Sequence, residues 1–109
     1  CVKFGKALRE LIASYPEDLR VGLMASGGLS HFVVEEQMDR DIMAALRRKD
    51  LDYLGNLDAR KLKAGSSEIR NWIVVASAAT DLDVNWEAYT PAYRTLAGTG
   101  TGLGFASWS

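Results

Sequence analysis

Phe4, Ala7, Leu8, Leu11, Ile12 and Tyr15 recur at intervals of three or four, with Lys3, Lys6, Arg9 and Glu10 between them, and Pro16 ends the series. That spacing predicts a helix over residues 2–15. Arg20 to Ser26 is a short apolar run closed by Gly27-Gly28, the form of a strand buried on both faces. Met38, Ile42, Ala45 and Leu46 fall on one side of a second helix over 38–48, beginning a few residues earlier, with basic residues in its last turn where they oppose the helix dipole. Leu51 to Lys63 mixes leucines with charges and predicts one or two short helical turns.

The segment AGSSEIRNWIVVASAA puts Ile69, Trp72, Ile73, Ala76 and Ala79 on one stripe, with Gly65, Ser66 and Ser67 available as N-terminal caps. A third helix follows from this. Asp83 to Arg94 carries Val84, Trp86, Tyr89 and Tyr93 and is broken by Pro91, so it is expected to be extended and at a sheet edge. The tail GTGTGLGFASW predicts a glycine-rich loop and then a short strand.

At 109 residues, 48% hydrophobic and 25% charged, the chain has the size and make-up of one globular domain. No apolar run approaches the roughly 20 residues of a membrane span, so neither a membrane segment nor a membrane partner is expected. Thirteen basic against fourteen acidic residues give a net charge of -1, without the positive excess that nucleic-acid binding needs. One cysteine, Cys1, cannot form an internal disulfide, and no secretory leader pattern is present, which suits a reducing cytoplasm. The chain opens on Cys1 directly into a helical pattern, and it is expected to be a piece of something longer.

Gly98, Gly100, Gly102 and Gly104 do not make a nucleotide fingerprint: Leu103 stands where a third glycine is needed, and no Gly-Lys-Ser or Gly-Lys-Thr occurs. Gly28-Leu-Ser30-His31-Phe32 has the outline of a nucleophile elbow. Its fifth position holds Phe32 instead of glycine, and a serine hydrolase would need a histidine from elsewhere when His31 is the only one. H-E-x-x-H is absent, so no zinc site can be built from the chain alone. His31 itself stands after a Gly-Gly break at a strand end, where open α/β sheets place ligands, and imidazole suits proton transfer near neutral pH. An imidazole bonded to a nearby backbone carbonyl fits the same position. Glu68, in the first turn of the third helix, can be a metal ligand or simply an acid that stabilises the dipole by about 0.3–1 kcal/mol.

GLMASGGLSHF, EEQMDRDIMAAL, GSSEIRNWIVVASA and YTPAYRTLAGTGTGLGFASW, in this order, resemble the C-terminal portion of the catalytic subunit of class III extradiol ring-cleavage dioxygenases. The most specific part is a strand followed by G-G-x-S-H and then, 35 to 40 residues on, G-x-x-E-x-x-N-W. The resemblance implies an α/β fold: an open, mainly buried sheet with helices packed on it. Residues 1–109 would be the C-terminal part of a larger single domain. It implies that His31 is an acid/base residue beside the metal, that Glu68 is the carboxylate ligand of Fe(II), and that Thr95 lies near the substrate. Two further histidine ligands would come from sequence upstream of Cys1. Two imidazoles and a carboxylate leave one face of iron open for a catechol and O2.

The implied activity opens a catechol-type ring next to its hydroxyls, with the isolated piece inactive. A non-catalytic scaffold or interaction domain of the same fold is the alternative, and a hydrolase built on Ser30 comes third. The partners implied are the catecholic substrate, O2, the missing N-terminal part, and a homo- or hetero-oligomer.

Overall fold

The computed structural model describes residues 1–109. Its elements in chain order are α1 (Val2–Ser14), β1 (His31–Val33), α2 (Glu36–Arg48), α3 (Leu51–Gly55), a 3-10 turn (Ala64–Glu68), α4 (Ile69–Ala78), β2 (Val84–Tyr93) and β3 (Thr99–Trp108). The three helical stripes of the sequence all form helices. Helix α2 starts at Glu36, has Glu36 and Asp39 in its first turn and Arg47 and Arg48 in its last, and ends on Lys49 in the left-handed conformation. Asp50 caps the short α3 by accepting the Tyr53 N–H at 3.0 Å.

The sheet is open and antiparallel, in the order β1-β3-β2. Helices lie on one of its faces, so the architecture is α/β. The core is a cluster formed by Met38, Ile42 and Leu46 of α2, Ile69, Trp72 and Ile73 of α4, Leu29, Leu54, Leu62 and their neighbours. Along β3, Gly100, Gly102 and Gly104 are buried and the residues between them are more open. The expectation of a mainly buried sheet is therefore corrected to one covered on a single face.

Two sequence expectations change more sharply. The run Arg20–Ser26 is extended but is not a strand: no main-chain hydrogen bond joins residues 20–27 to another segment. Nor is it buried on both faces, since Val21 and Leu23 are exposed and Met24 is 93% exposed. Apolar patterning describes which side chains avoid water, but a strand also needs a neighbour to complete its ladder. The run instead forms one wall of a wide apolar cleft of about 830 Å³, opposite Ile12, Val75 and Trp86.

The second change concerns the tail. The glycine-rich segment belongs to β3, the central strand, rather than to a loop, and it pairs with β2 from Val84↔Trp108 to Tyr93↔Gly100. Pro91 stays on the edge strand β2, as expected, opposite Gly102. Glycine is required in β3 because other groups approach its backbone closely. A side chain at 102 would fall inside the Asp39 carboxylate, and one at 104 would lie 3.0 Å from Leu29. No helix is long and apolar enough to cross a membrane.

Gly102→Ala should therefore lower stability by about 1–3 kcal/mol through overpacking, whereas Gly22→Ala, which meets open space, should change it by less than about 0.5 kcal/mol. Urea unfolding of the two variants measures the difference.

Candidate functional site

The Ser26–Gly28 turn is held against the start of α4 by three side chains. Glu68 Oε2 accepts the Gly28 N–H at 3.1 Å, Asn71 Nδ2 donates to the Ser26 carbonyl at 3.1 Å, and Trp72 Nε1 donates to the Gly27 carbonyl at 3.0 Å. Residues 68, 71 and 72 share one side of a helical turn, which gives E-x-x-N-W a physical meaning. Gly27 has φ +125°, and a Cβ on it would lie 2.7 Å from Glu68 Cδ. The turn thus needs glycine both for its backbone angle and for the approach of the carboxylate.

Glu68 is the last residue of the 3-10 turn and immediately precedes α4, rather than lying within the helix. None of the serines caps α4 with its side chain. Ser66 Oγ instead accepts the His31 N–H at 2.8 Å. That bond ties β1 to the 3-10 turn, 35 residues away. Gly65 leaves room beside it, since a Cβ there would lie 2.6 Å from the His31 side chain.

His31 Nδ1 is 2.8 Å from the Leu29 carbonyl oxygen, and Nε2 is 3.4 Å from Glu68 Oε2. A carbonyl can only accept, so the proton sits on Nδ1. In the neutral ring Nε2 then carries a lone pair, and its side chain is 23% exposed. The backbone-carbonyl bond is thus present at Nδ1, while Nε2 faces the Glu68 carboxylate. The next residue, Phe32, has φ +66° and is 70% exposed. This left-handed backbone at a bulky side chain is a strained conformation directly beside the imidazole.

Glu68 Oε2 has the Gly28 N–H and the imidazole near it, and Oε1 has no hydrogen-bond partner in the chain. The Glu68 side chain is 44% exposed. This carboxylate fits the role of one metal ligand. No three His, Cys, Asp or Glu residues of the chain come close enough to form a metal-binding group by themselves.

Thr95 lies apart from this pair. It is in the turn joining β2 to β3, exposed, with its Oγ1 2.7 Å from Thr99 Oγ1. Thr99 pairs with Val33, and His31 pairs with Thr101. The structure therefore brings His31 and Glu68 together but leaves Thr95 at the hairpin turn. The wide apolar cleft also lies elsewhere, touching Gly27 but neither His31 nor Glu68.

Asp39 is the residue at this site that sequence patterning passes over. It is fully buried on the apolar face of α2. Its Oδ1 accepts the Ser30 N–H at 3.0 Å, and its Oδ2 accepts both the Ser30 hydroxyl and the Tyr89 hydroxyl at 2.6 Å. The available signal was an acid between Met38 and Ile42 on the side of the helix that faces the core. Burial pushes the Tyr89 phenol well above its ordinary value, and the Asp39 carboxylate raises it further by accepting its hydrogen bond.

A phenol raised in this way contributes stability that is fully present below the unfolded value of about 10 and is lost as pH rises toward the folded value. The stability gap between the wild-type chain and Tyr89→Phe should be constant from about pH 7 to 9 and narrow by about pH 11. Urea unfolding at each pH checks this, and a gap that widens on the alkaline side would reverse the assigned sign.

The family described as "Catalytic LigB subunit of aromatic ring-opening dioxygenase" matches residues 1–104. The chain is also 57% identical over 37 residues to a gallate dioxygenase of Pseudomonas putida, a match covering 34% of this chain and 11% of that protein.

Proposed function

This chain belongs to the family of LigB catalytic subunits of aromatic ring-opening dioxygenases, and from that premise we propose that it serves the extradiol cleavage of a catechol-type ring, with His31 as acid/base and Glu68 as an iron ligand. The observation that carries the proposal is the His31–Glu68 pair: a carboxylate with a free oxygen beside an imidazole whose Nδ1 proton is committed to Leu29. Fe(II), when bound by Glu68 and two histidines from outside these residues, supplies the coordination of ring hydroxyls and O2.

The chain's own residues handle protons. Nε2 of neutral His31 takes the proton of a substrate hydroxyl, and the imidazolium that results has Glu68 Oε2 at 3.4 Å to stabilise it. The same nitrogen returns the proton as the opened product forms, so the residue ends as it began. The Leu29 carbonyl keeps the ring from turning its protonated nitrogen toward the substrate. Thr95 enters as a substrate contact at the hairpin turn. The complete enzyme is proposed to join this part to the remainder of its domain and to work as a homo- or hetero-oligomer. Exposed apolar side chains on α1, Phe4 and Leu11 among them, support such association.

In the complete iron-loaded protein, His31→Ala should lower kcat by about 10²- to 10⁴-fold while leaving iron content unchanged. Glu68→Ala should lower iron content and kcat together, and Thr95→Val should raise KM with little change in kcat. Iron analysis with oxygen-uptake kinetics on a panel of catechols measures all three. Equal iron loss in the His31 and Glu68 variants would overturn the division of roles.

A further inference from the structure

We propose that Asp39 is a positioning residue for His31, acting through Ser30. The claim rests on the reading of His31 given above for its catalytic consequence, but its structural content stands on geometry alone. A fully buried carboxylate is costly unless cations or hydrogen-bond donors compensate it. No Lys or Arg forms an ion pair with Asp39; the Arg40 guanidinium lies instead over the Tyr89 ring, 5.0 Å from its centre. Compensation comes from three donors, and two of them are the N–H and hydroxyl of Ser30, the residue directly before His31.

Ser30 has no polar atom left over. Its carbonyl accepts the Gly102 N–H at 2.9 Å, and its hydroxyl oxygen accepts the Glu35 N–H at 3.0 Å. Leu29 is fixed in turn, donating its N–H to the Gly102 carbonyl at 2.8 Å. The carbonyl that sets the His31 tautomer therefore belongs to a residue held on both sides, by β3 directly and by Asp39 through Ser30. Ser66 holds the His31 main chain from the opposite side. Gly102 completes the arrangement, because any side chain there would displace the Asp39 carboxylate.

Chemistry explains why an acid stands at 39. Each Asp oxygen accepts, whereas an Asn would turn its NH2 donor either toward the Ser30 N–H or toward the two hydroxyls that donate to Oδ2. Apolar residues of matching shape would fill the same volume at little cost in stability. What the polar cluster adds is a fixed orientation of residues 29–31.

The test follows His31 by 15N NMR of the labelled imidazoles of the complete protein, its signals identified as those that disappear in His31→Ala. In the complete wild-type protein without metal, the neutral ring should give the signals of the Nδ1–H tautomer. Asp39→Asn and Ser30→Ala should each shift them toward a mixture of both tautomers. In the complete iron-loaded protein the same variants should lower kcat at least tenfold with KM within about twofold.

Ser30→Ala, the smaller change, carries the test if Asp39→Asn does not fold. A folded variant that keeps the pure Nδ1–H tautomer and full kcat overturns the proposal, even if its melting temperature falls. A wild-type protein that opens no ring but whose tautomer responds to these substitutions would overturn the functional reading and leave the positioning role intact.

Discussion

The site depends on a turn that has no strand partner being fastened to the start of a helix. Ser26–Gly28 receives no main-chain hydrogen bond from a neighbouring strand, and a Gly-Gly turn left free would sample many conformations. Glu68, Asn71 and Trp72 supply the missing bonds from one side of a single turn. The two neutral bonds, from Asn71 and Trp72, are worth about 0.5–1.5 kcal/mol net each and the one to the Glu68 carboxylate at most about 1.5–3 kcal/mol, so losing one of the three would loosen the turn without unfolding the core. Its consequence is local and chemical: two residues 37 positions apart, His31 and Glu68, face each other across a short gap.

That gap is kept open by small residues and defined by larger ones. Gly27 admits the carboxylate and Gly65 admits the imidazole. On the other side, Leu29, Ser30 and Gly102 lock β1 to β3, and Asp39 closes the arrangement from α2. The surrounding apolar cluster is modest, so the buried polar contacts at its edge matter for which conformation is adopted as well as for how stable it is. Strain at Phe32 fits the same picture, since a left-handed backbone at a bulky residue persists only where its neighbours over-determine it.

The helices were legible because each buries one stripe, and a stripe has a period that sequence records: Met38, Ile42, Ala45 and Leu46 appear in the structure on the face where spacing puts them. The resemblance pairs His31 and Glu68 through two short motifs, and the bonds of Glu68, Asn71 and Trp72 to the Ser26–Gly28 turn give E-x-x-N-W its physical reason. The strand expected at Arg20–Ser26 fails because pairing is a property of two segments and patterning describes one. The tail forms a strand where its glycines suggest a loop, because glycine signals either a loop or a close approach, and only the position of Asp39, Leu29 and Ala92 distinguishes them. Asp39 was missed for a related reason, since a single acid within an apolar stripe has no periodicity to reveal it. Thr95 has a sequence position near the tail glycines but a fold position at a hairpin turn.

The central claim is that His31 moves a proton without touching the metal, and chemical rescue tests it most directly. In the complete iron-loaded protein carrying His31→Ala, added imidazole should restore turnover in proportion to its free-base concentration with iron content constant. Imidazole should have no such effect on Glu68→Ala. A His31→Ala protein that keeps its iron, binds substrate and still gains nothing from imidazole would contradict the account.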